Sequence, residues 1–121
     1  MKNIVVVEDN AAIRKLFCTL LKKQDYEVTD FNNGESVLQE LPNLKPDLIV
    51  LDILLPDING TELIEKIRAI QYCADVPVIA VTGFATEQDE KKFKELGFNG
   101  YLSKPINTDV FIGEIKKHIT N

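Results

Sequence analysis

The stretch Asp47-Leu48-Ile49-Val50-Leu51-Asp52 decides how the chain is read. Four apolar residues run without alternation into a carboxylate, and Ile53-Leu54-Leu55-Pro56 follows. So short a run, bounded by a proline-containing loop, fits a central strand buried on both faces. Asp52 then stands at the strand's carboxyl end, where open α/β sheets gather their ligands. Taken alone, an aspartate there also suits the capping of a loop. The neighbouring segments decide between the two.

Upstream, Ile4-Val5-Val6-Val7 is another unalternated run, ended by Glu8-Asp9-Asn10. Ile13, Leu16, Phe17, Leu20 and Leu21 then repeat at helical spacing, which predicts one inward face. Glu27-Val28-Thr29-Asp30 alternates, as an edge strand half open to water does. A short helix over Gly34–Leu41 follows, with Val37, Leu38 and Leu41 inward, and residues 41–46 read as a crossover loop.

Downstream, Asp57 and Asn59 are turn residues before Gly60, and Leu63, Ile64, Ile67 and Ile70 predict a helix over Thr61–Ile70. Pro77–Val81 is a third buried strand, ending at Thr82-Gly83. Thr86-Glu87-Gln88-Asp89 matches a capping box, and Gly97 stops the helix it starts. That fourth helix is weakly amphipathic, anchored by Phe93 and Leu96. Gly100–Ser103 is a last short strand before Lys104-Pro105, and a helix over about Thr108–Ile119 turns Ile112, Ile115 and Ile119 inward.

Five strands alternating with five helices imply an α/β fold: a five-stranded parallel sheet with helices on both faces. The three apolar strands belong inside and the two polar ones at the edges. The order 2-1-3-4-5, the flavodoxin-like winding, satisfies that.

A chain of 121 residues is one domain, here residues 1–121. Its 45% hydrophobic and 27% charged residues are ordinary for a soluble globular protein. No apolar stretch is long enough to span a bilayer and no signal peptide pattern opens the chain, so a cytoplasmic protein without membrane insertion is expected. Cys18 and Cys73 form no CxxC pair and read as free thiols. A net charge of −5, from 14 basic and 19 acidic residues, argues against direct nucleic acid binding.

The topology brings Glu8, Asp9, Asp52, Thr82 and Lys104 to one crevice, because each follows a strand's carboxyl end. Two carboxylates about 4 Å apart repel by roughly 1 to 4 kcal/mol, so three of them need raised pKa values or a cation. Oxygen donors without histidine or cysteine favour Mg²⁺, with Mn²⁺ as the softer alternative. Lys104 adds a point charge, while the Thr82 hydroxyl and Gly83 N–H suit an oxyanion. A carboxylate so placed is equipped to attack phosphorus.

Glu8-Asp9, Asp52 with Pro56 and Gly60 behind it, Thr82-Gly83, Tyr101 and Lys104-Pro105 together resemble the receiver domain of two-component response regulators. The resemblance covers essentially the whole chain. It points to a stand-alone regulator of the chemotaxis or sporulation-phosphorelay kind, with a receiver fragment of a larger hybrid kinase or multidomain regulator as the alternative. It implies a phosphoprotein whose Asp52 accepts a phosphoryl group from a sensor histidine kinase or histidine phosphotransfer protein. Glu8, Asp9, Asp52 and the Leu54 carbonyl would hold Mg²⁺, with Glu8 acting through a water. Lys104, Thr82 and the Gly83 N–H would bind the phosphoryl oxygens, Tyr101 would turn inward with Thr82, and the bond to Pro105 would be cis. The fourth helix, fifth strand and fifth helix would form the face for a downstream protein target. Such a chain is a switch that assists its own phosphorylation and dephosphorylation, not an enzyme.

Three positions depart from the usual pattern or stand out in it. Glu8 replaces the commoner aspartate. Leu54 and Phe84, each two residues past Asp52 and Thr82, are bulky and apolar, which predicts a shielded, long-lived acyl phosphate. A flavodoxin-like cofactor carrier would need a phosphate loop where Glu8-Asp9 stands, and a phosphohydrolase would need an aspartate where Leu54 stands. His118, the only histidine, needs no role beyond the dipole of its helix end.

Overall fold

Leu48–Asp52 forms β3, buried at every residue, and it sits in the middle of the sheet. It pairs in parallel with β1 (Asn3–Val7) on one side and β4 (Val78–Thr82) on the other. β2 (Glu27–Phe31) and β5 (Gly100–Ser103) close the edges, as the polarity of these two strands predicts, and the order is the expected β2-β1-β3-β4-β5. The computed structural model of the chain describes residues 1–83 and 87–119, apart from the Glu87 side chain.

Successive residues of a strand face opposite ways, so each interior strand feeds two cores. Val5, Val7, Ile49, Leu51, Val78 and Ala80 pack under α2 (Gly34–Leu44), α3 (Gly60–Arg68) and α4 (Glu87–Leu96). Ile4, Val6, Leu48, Val50, Ile79 and Val81 pack under α1 (Ala11–Lys23) and α5 (Thr108–His118). Between the last two helices Phe17 and Phe111 stack at 4.6 Å. Asparagines start four of the helices, with Asn10, Asn33, Asn59 and Asn107 each accepting an N–H of the first turn.

The periodicity misplaces several side chains. Leu16 is 44% exposed, because the buried line of α1 is Phe17 and Leu21 with Ile13 and Leu20 at its margin. Leu96 is 37% exposed, and the second anchor below α4 is Phe98, which meets Phe93 edge-on at 5.7 Å. In α5 the fully buried residues are Phe111 and Ile115, with Ile112 only half-buried. α2 runs on through Pro42 to Leu44. A proline so close to the end removes one helical hydrogen bond, and Leu44 packs on the core beyond it. A one-turn 3₁₀ helix, Gln71–Cys73, follows α3 where no element is predicted.

Lys45 ends α2 in the left-handed region, at φ 47°. That conformation strains a residue with a Cβ and suits glycine. Lys45→Gly should therefore stabilise the fold by about 0.5–1 kcal/mol, read as a higher urea midpoint at unchanged slope.

Candidate functional site

The turn from β1 into α1 is built around the Glu8 carboxylate. The Glu8 N–H donates to the Phe31 carbonyl at 3.0 Å, extending the β1–β2 ladder past the end of β1. Two residues on, the Asn10 N–H donates to Glu8 Oε2 at 3.1 Å, while Asn10 Oδ1 accepts from Ile13 N at 3.0 Å to start the helix. Glu8 is only 1% exposed, and Asp9 beside it opens to solvent.

Asp52 closes β3 at 2% exposure. Its Oδ1 accepts from Leu54 N at 3.1 Å and its Oδ2 from Lys104 Nζ at 3.2 Å. Behind it the loop is tied down twice. Leu54 and Asn59 form an antiparallel bridge, and Gly60 N donates to the Ile53 carbonyl at 2.7 Å. A Cβ on Gly60 would lie 2.8 Å from Ile53 Cα, so the approach of the loop to the strand end needs glycine here.

Lys104 arrives from beyond β5, its N–H donating to the Thr82 carbonyl at 2.8 Å, and its peptide bond to Pro105 is cis. Its ammonium lies 3.5 Å from Glu8 Oε1 as well as against Asp52. Burial works to lower its pKa, but the hydrogen bonds and charges of Asp52 and Glu8 prevail and raise it. Glu8 is pushed from 4.5 up to about 7, first by burial and then by the neighbouring Asp52, against the Asn10 N–H and Lys104.

The acidic cluster accommodates a hard cation. Carboxylate oxygens of Glu8, Asp9 and Asp52 all lie within 4.8 Å of one another. Among the described residues, Glu8 Oε1 is the buried side-chain oxygen that no hydrogen bond satisfies. Three carboxylates facing one ammonium leave uncompensated negative charge at a place with only oxygen donors.

Thr82 is buried at the end of β4, and Gly83 next to it is exposed, with no atom of the described residues beyond its chain neighbours within 4 Å of where a Cβ would stand. Tyr101 is half-buried against the core that α2, α3 and α4 cover. Leu54 is 58% exposed at the rim of the crevice. Phe84 lies outside the described residues, as does Thr86 of the capping box. The sequence-predicted residues Glu8, Asp9, Asp52 and Lys104 thus converge, with Thr82 tied to them through the backbone of Lys104.

Three supports escape the sequence reading. Asp57 accepts from Gly34 N at 2.9 Å and Glu35 N at 2.8 Å, capping α2 from the β3–α3 loop, and these N–H groups lower its pKa. Arg14 donates to the Glu8 carbonyl at 2.9 Å. Arg68 donates to the carbonyls of Cys73, Val76 and Gly97 and to Asn99 Oδ1, joining α3, α4 and the start of β4. His118 faces Glu114 across 3.6 Å on α5, away from the crevice.

Comparison with known proteins agrees with this geometry. The chain is 37% identical over 118 residues to the polar-differentiation response regulator DivK of Brucella anthropi, covering 98% of this chain and 96% of that one. The chemotaxis response regulator CheY4 of Vibrio cholerae superposes with a TM-score of 0.93 over 98% of this chain and 99% of that one; at 23% identity the likeness speaks for the fold. The receiver domain of the sensor histidine kinase PA1611 from Pseudomonas aeruginosa, solved with magnesium in its active site cleft, superposes at 0.87 with 27% identity, over 97% and 96% of the two chains. The family model of the response regulator receiver domain matches residues 4–116. The chain belongs to that family and is a receiver domain of two-component signalling.

Proposed function

We propose that the protein is a phosphoacceptor switch, in which Asp52 takes a phosphoryl group from a phosphohistidine of a sensor kinase or phosphotransfer protein. One observation carries the reading. Asp52 is a nearly buried carboxylate held between a backbone N–H and Lys104, inside a cluster of acids that wants a cation. An Asp52 oxygen attacks phosphorus, the P–N bond breaks, the imidazole leaves, and an acyl phosphate remains.

Glu8, Asp9 and Asp52, with the Leu54 carbonyl, would hold Mg²⁺, the ion in the cleft of the PA1611 receiver domain, and Mn²⁺ fits the same donors. A divalent ion there offsets the charge of the carboxylates and of the incoming phosphoryl oxygens. Lys104 follows the charge: its contact with Asp52 at 3.2 Å passes to a phosphoryl oxygen. The Thr82 hydroxyl and Gly83 N–H take the other oxygens, and Gly83 itself brings no side chain to crowd them. Movement of Thr82 shifts Tyr101 on the neighbouring strand and biases the α4–β5–α5 face between two states, which a downstream protein reads. The chain is a switch that catalyses only changes in its own phosphorylation.

The test is phosphotransfer from acetyl phosphate, followed by intact mass. A single phosphoryl adduct should form with Mg²⁺ and fail to form with EDTA. Absence of any adduct in either condition would overturn the reading.

Leu54 at the rim sets how long that adduct lasts. An apolar side chain there cannot orient an attacking water, nor can Phe84. Replacing both, as Leu54→Asn with Phe84→Glu, should shorten the phosphoryl lifetime by about tenfold or more, a fraction of the roughly hundredfold or more that a fully positioned acid–base group contributes. Decay of the adduct by mass after donor removal measures this, and an unchanged lifetime would contradict it.

A further inference from the structure

We infer that Arg14 is a positioning residue for the divalent ion, acting through the backbone of Glu8; this rests on the metal reading of the acidic cluster. Arg14 lies in the first turns of α1, one helical turn beyond the capping Asn10. Its side chain divides between two partners. Nη1 donates to the Glu8 carbonyl at 2.9 Å, and Nε pairs with Asp30 Oδ2 on β2 at 3.0 Å.

The role follows from counting what holds Glu8. Its N–H is taken by Phe31, its Oε2 by Asn10 N, and its carbonyl by Arg14. Glu8 follows β1 on the side that faces β2, and the β1–β2 register stops at Val7 opposite Phe31, so no strand pairing reaches its carbonyl. Arg14 supplies the missing donor. With those three groups fixed, the remaining oxygen, Oε1, is the one left unsatisfied and directed toward Lys104 at 3.5 Å. Arg14 thereby fixes the residue that presents the free ligand atom, and the peptide leading to Asp9.

The influence is geometric rather than electrostatic. Burial first, and then Asp52, the Asn10 N–H and Lys104, shift the titration of Glu8, with no part from the guanidinium. Arg14 spends its own charge on Asp30, a half-exposed partner on the outer side of the guanidinium. Asp30 holds the planar fork at the angle that lets Nη1 reach the carbonyl. Hydrogen-bonding partners behind metal ligands commonly change metal affinity by about 10–100-fold when removed.

Titration with Mn²⁺ followed by water-proton relaxation tests this, together with metal-free thermal midpoints. Arg14→Leu keeps the aliphatic stem and should weaken Mn²⁺ binding by about tenfold or more. Arg14→Lys, which can still donate to the carbonyl, should recover most of the affinity. The metal-free midpoints of the two variants should match, so that the loss tracks the donor and not general stability. Equal Mn²⁺ affinity in Arg14→Leu and wild type would overturn the role of Arg14. So would an Arg14→Lys variant as weak as Arg14→Leu. Failure of the wild type to bind Mn²⁺ at all would instead overturn the metal site itself.

Discussion

Asp52→Ala should abolish phosphoryl acceptance from acetyl phosphate, with no adduct by intact mass under conditions that load the wild type. A complete loss is expected because, in the proposed function, Asp52 supplies the attacking oxygen and the other acids are not placed to replace it. Glu8 is buried behind Lys104, and Asp9 lies on the open side of the cluster. The fold should survive. The variant leaves Leu54 N without its acceptor, a cost of about 1 kcal/mol for one hydrogen bond. Against this, it removes the carboxylate that crowds Glu8, so Glu8 should titrate below its wild-type value of about 7. Retained stability with lost acceptance separates a chemical role from a structural one.

Glu8→Gln should change how the metal-free protein responds to pH. The folded-state pKa of Glu8, about 7, lies above the 4.5 of an unperturbed carboxyl, so the native state binds the proton more tightly than the unfolded state. The stabilising contribution is complete below about 4.5 and is lost as pH rises through about 7. The shift corresponds to about 3 kcal/mol. In EDTA, the wild type should therefore be less stable at pH 8 than at pH 5 by up to that amount from this residue. Glu8→Gln should flatten the difference. Mg²⁺ should stabilise the wild type more at pH 8 than at pH 6, because binding there displaces no proton, and should do little for the variant. Urea titrations at the two pH values check the sign. An identical pH dependence in wild type and Glu8→Gln would contradict it.

The acids Glu8 and Asp52, and Thr82 with them, were readable from the chain because each closes a β-branched or aliphatic run that ends abruptly. Leu48–Leu51 before Asp52 and Ile4–Val7 before Glu8 need no long-range information to be recognised as buried strands. Strand polarity then separates edges from interior, the flavodoxin-like winding fits that division, and its order brings the charges together. Arg14 could not be found this way. On a helical wheel it is one of several cations on α1, and its partner is a main-chain oxygen exposed only by the local end of a strand. Asp57 reads as a turn residue until tertiary packing brings Gly34 beside it, a position where a Cβ would collide with Ile58.

Leu16 and Leu96 mark the other limit. Both satisfy helical spacing, yet both stand at the edge of a buried stripe that was narrower than the apolar pattern. Their exposure depends on how far each helix is rolled on the sheet. Phe17 stacked on Phe111 sets that for α1, and Phe93 against Phe98 sets it for α4.

The central claim is that Asp52 carries the signal as an acyl phosphate. The direct measurement is the position and chemistry of the phosphoryl group on the wild type, loaded by acetyl phosphate with Mg²⁺ and mapped by peptide fragmentation. The account predicts a single phosphoryl group on the peptide containing Asp52, released by hydroxylamine as an acyl phosphate is. A hydroxylamine-resistant phosphoryl group, or one mapped to His118 or any other residue, would contradict it.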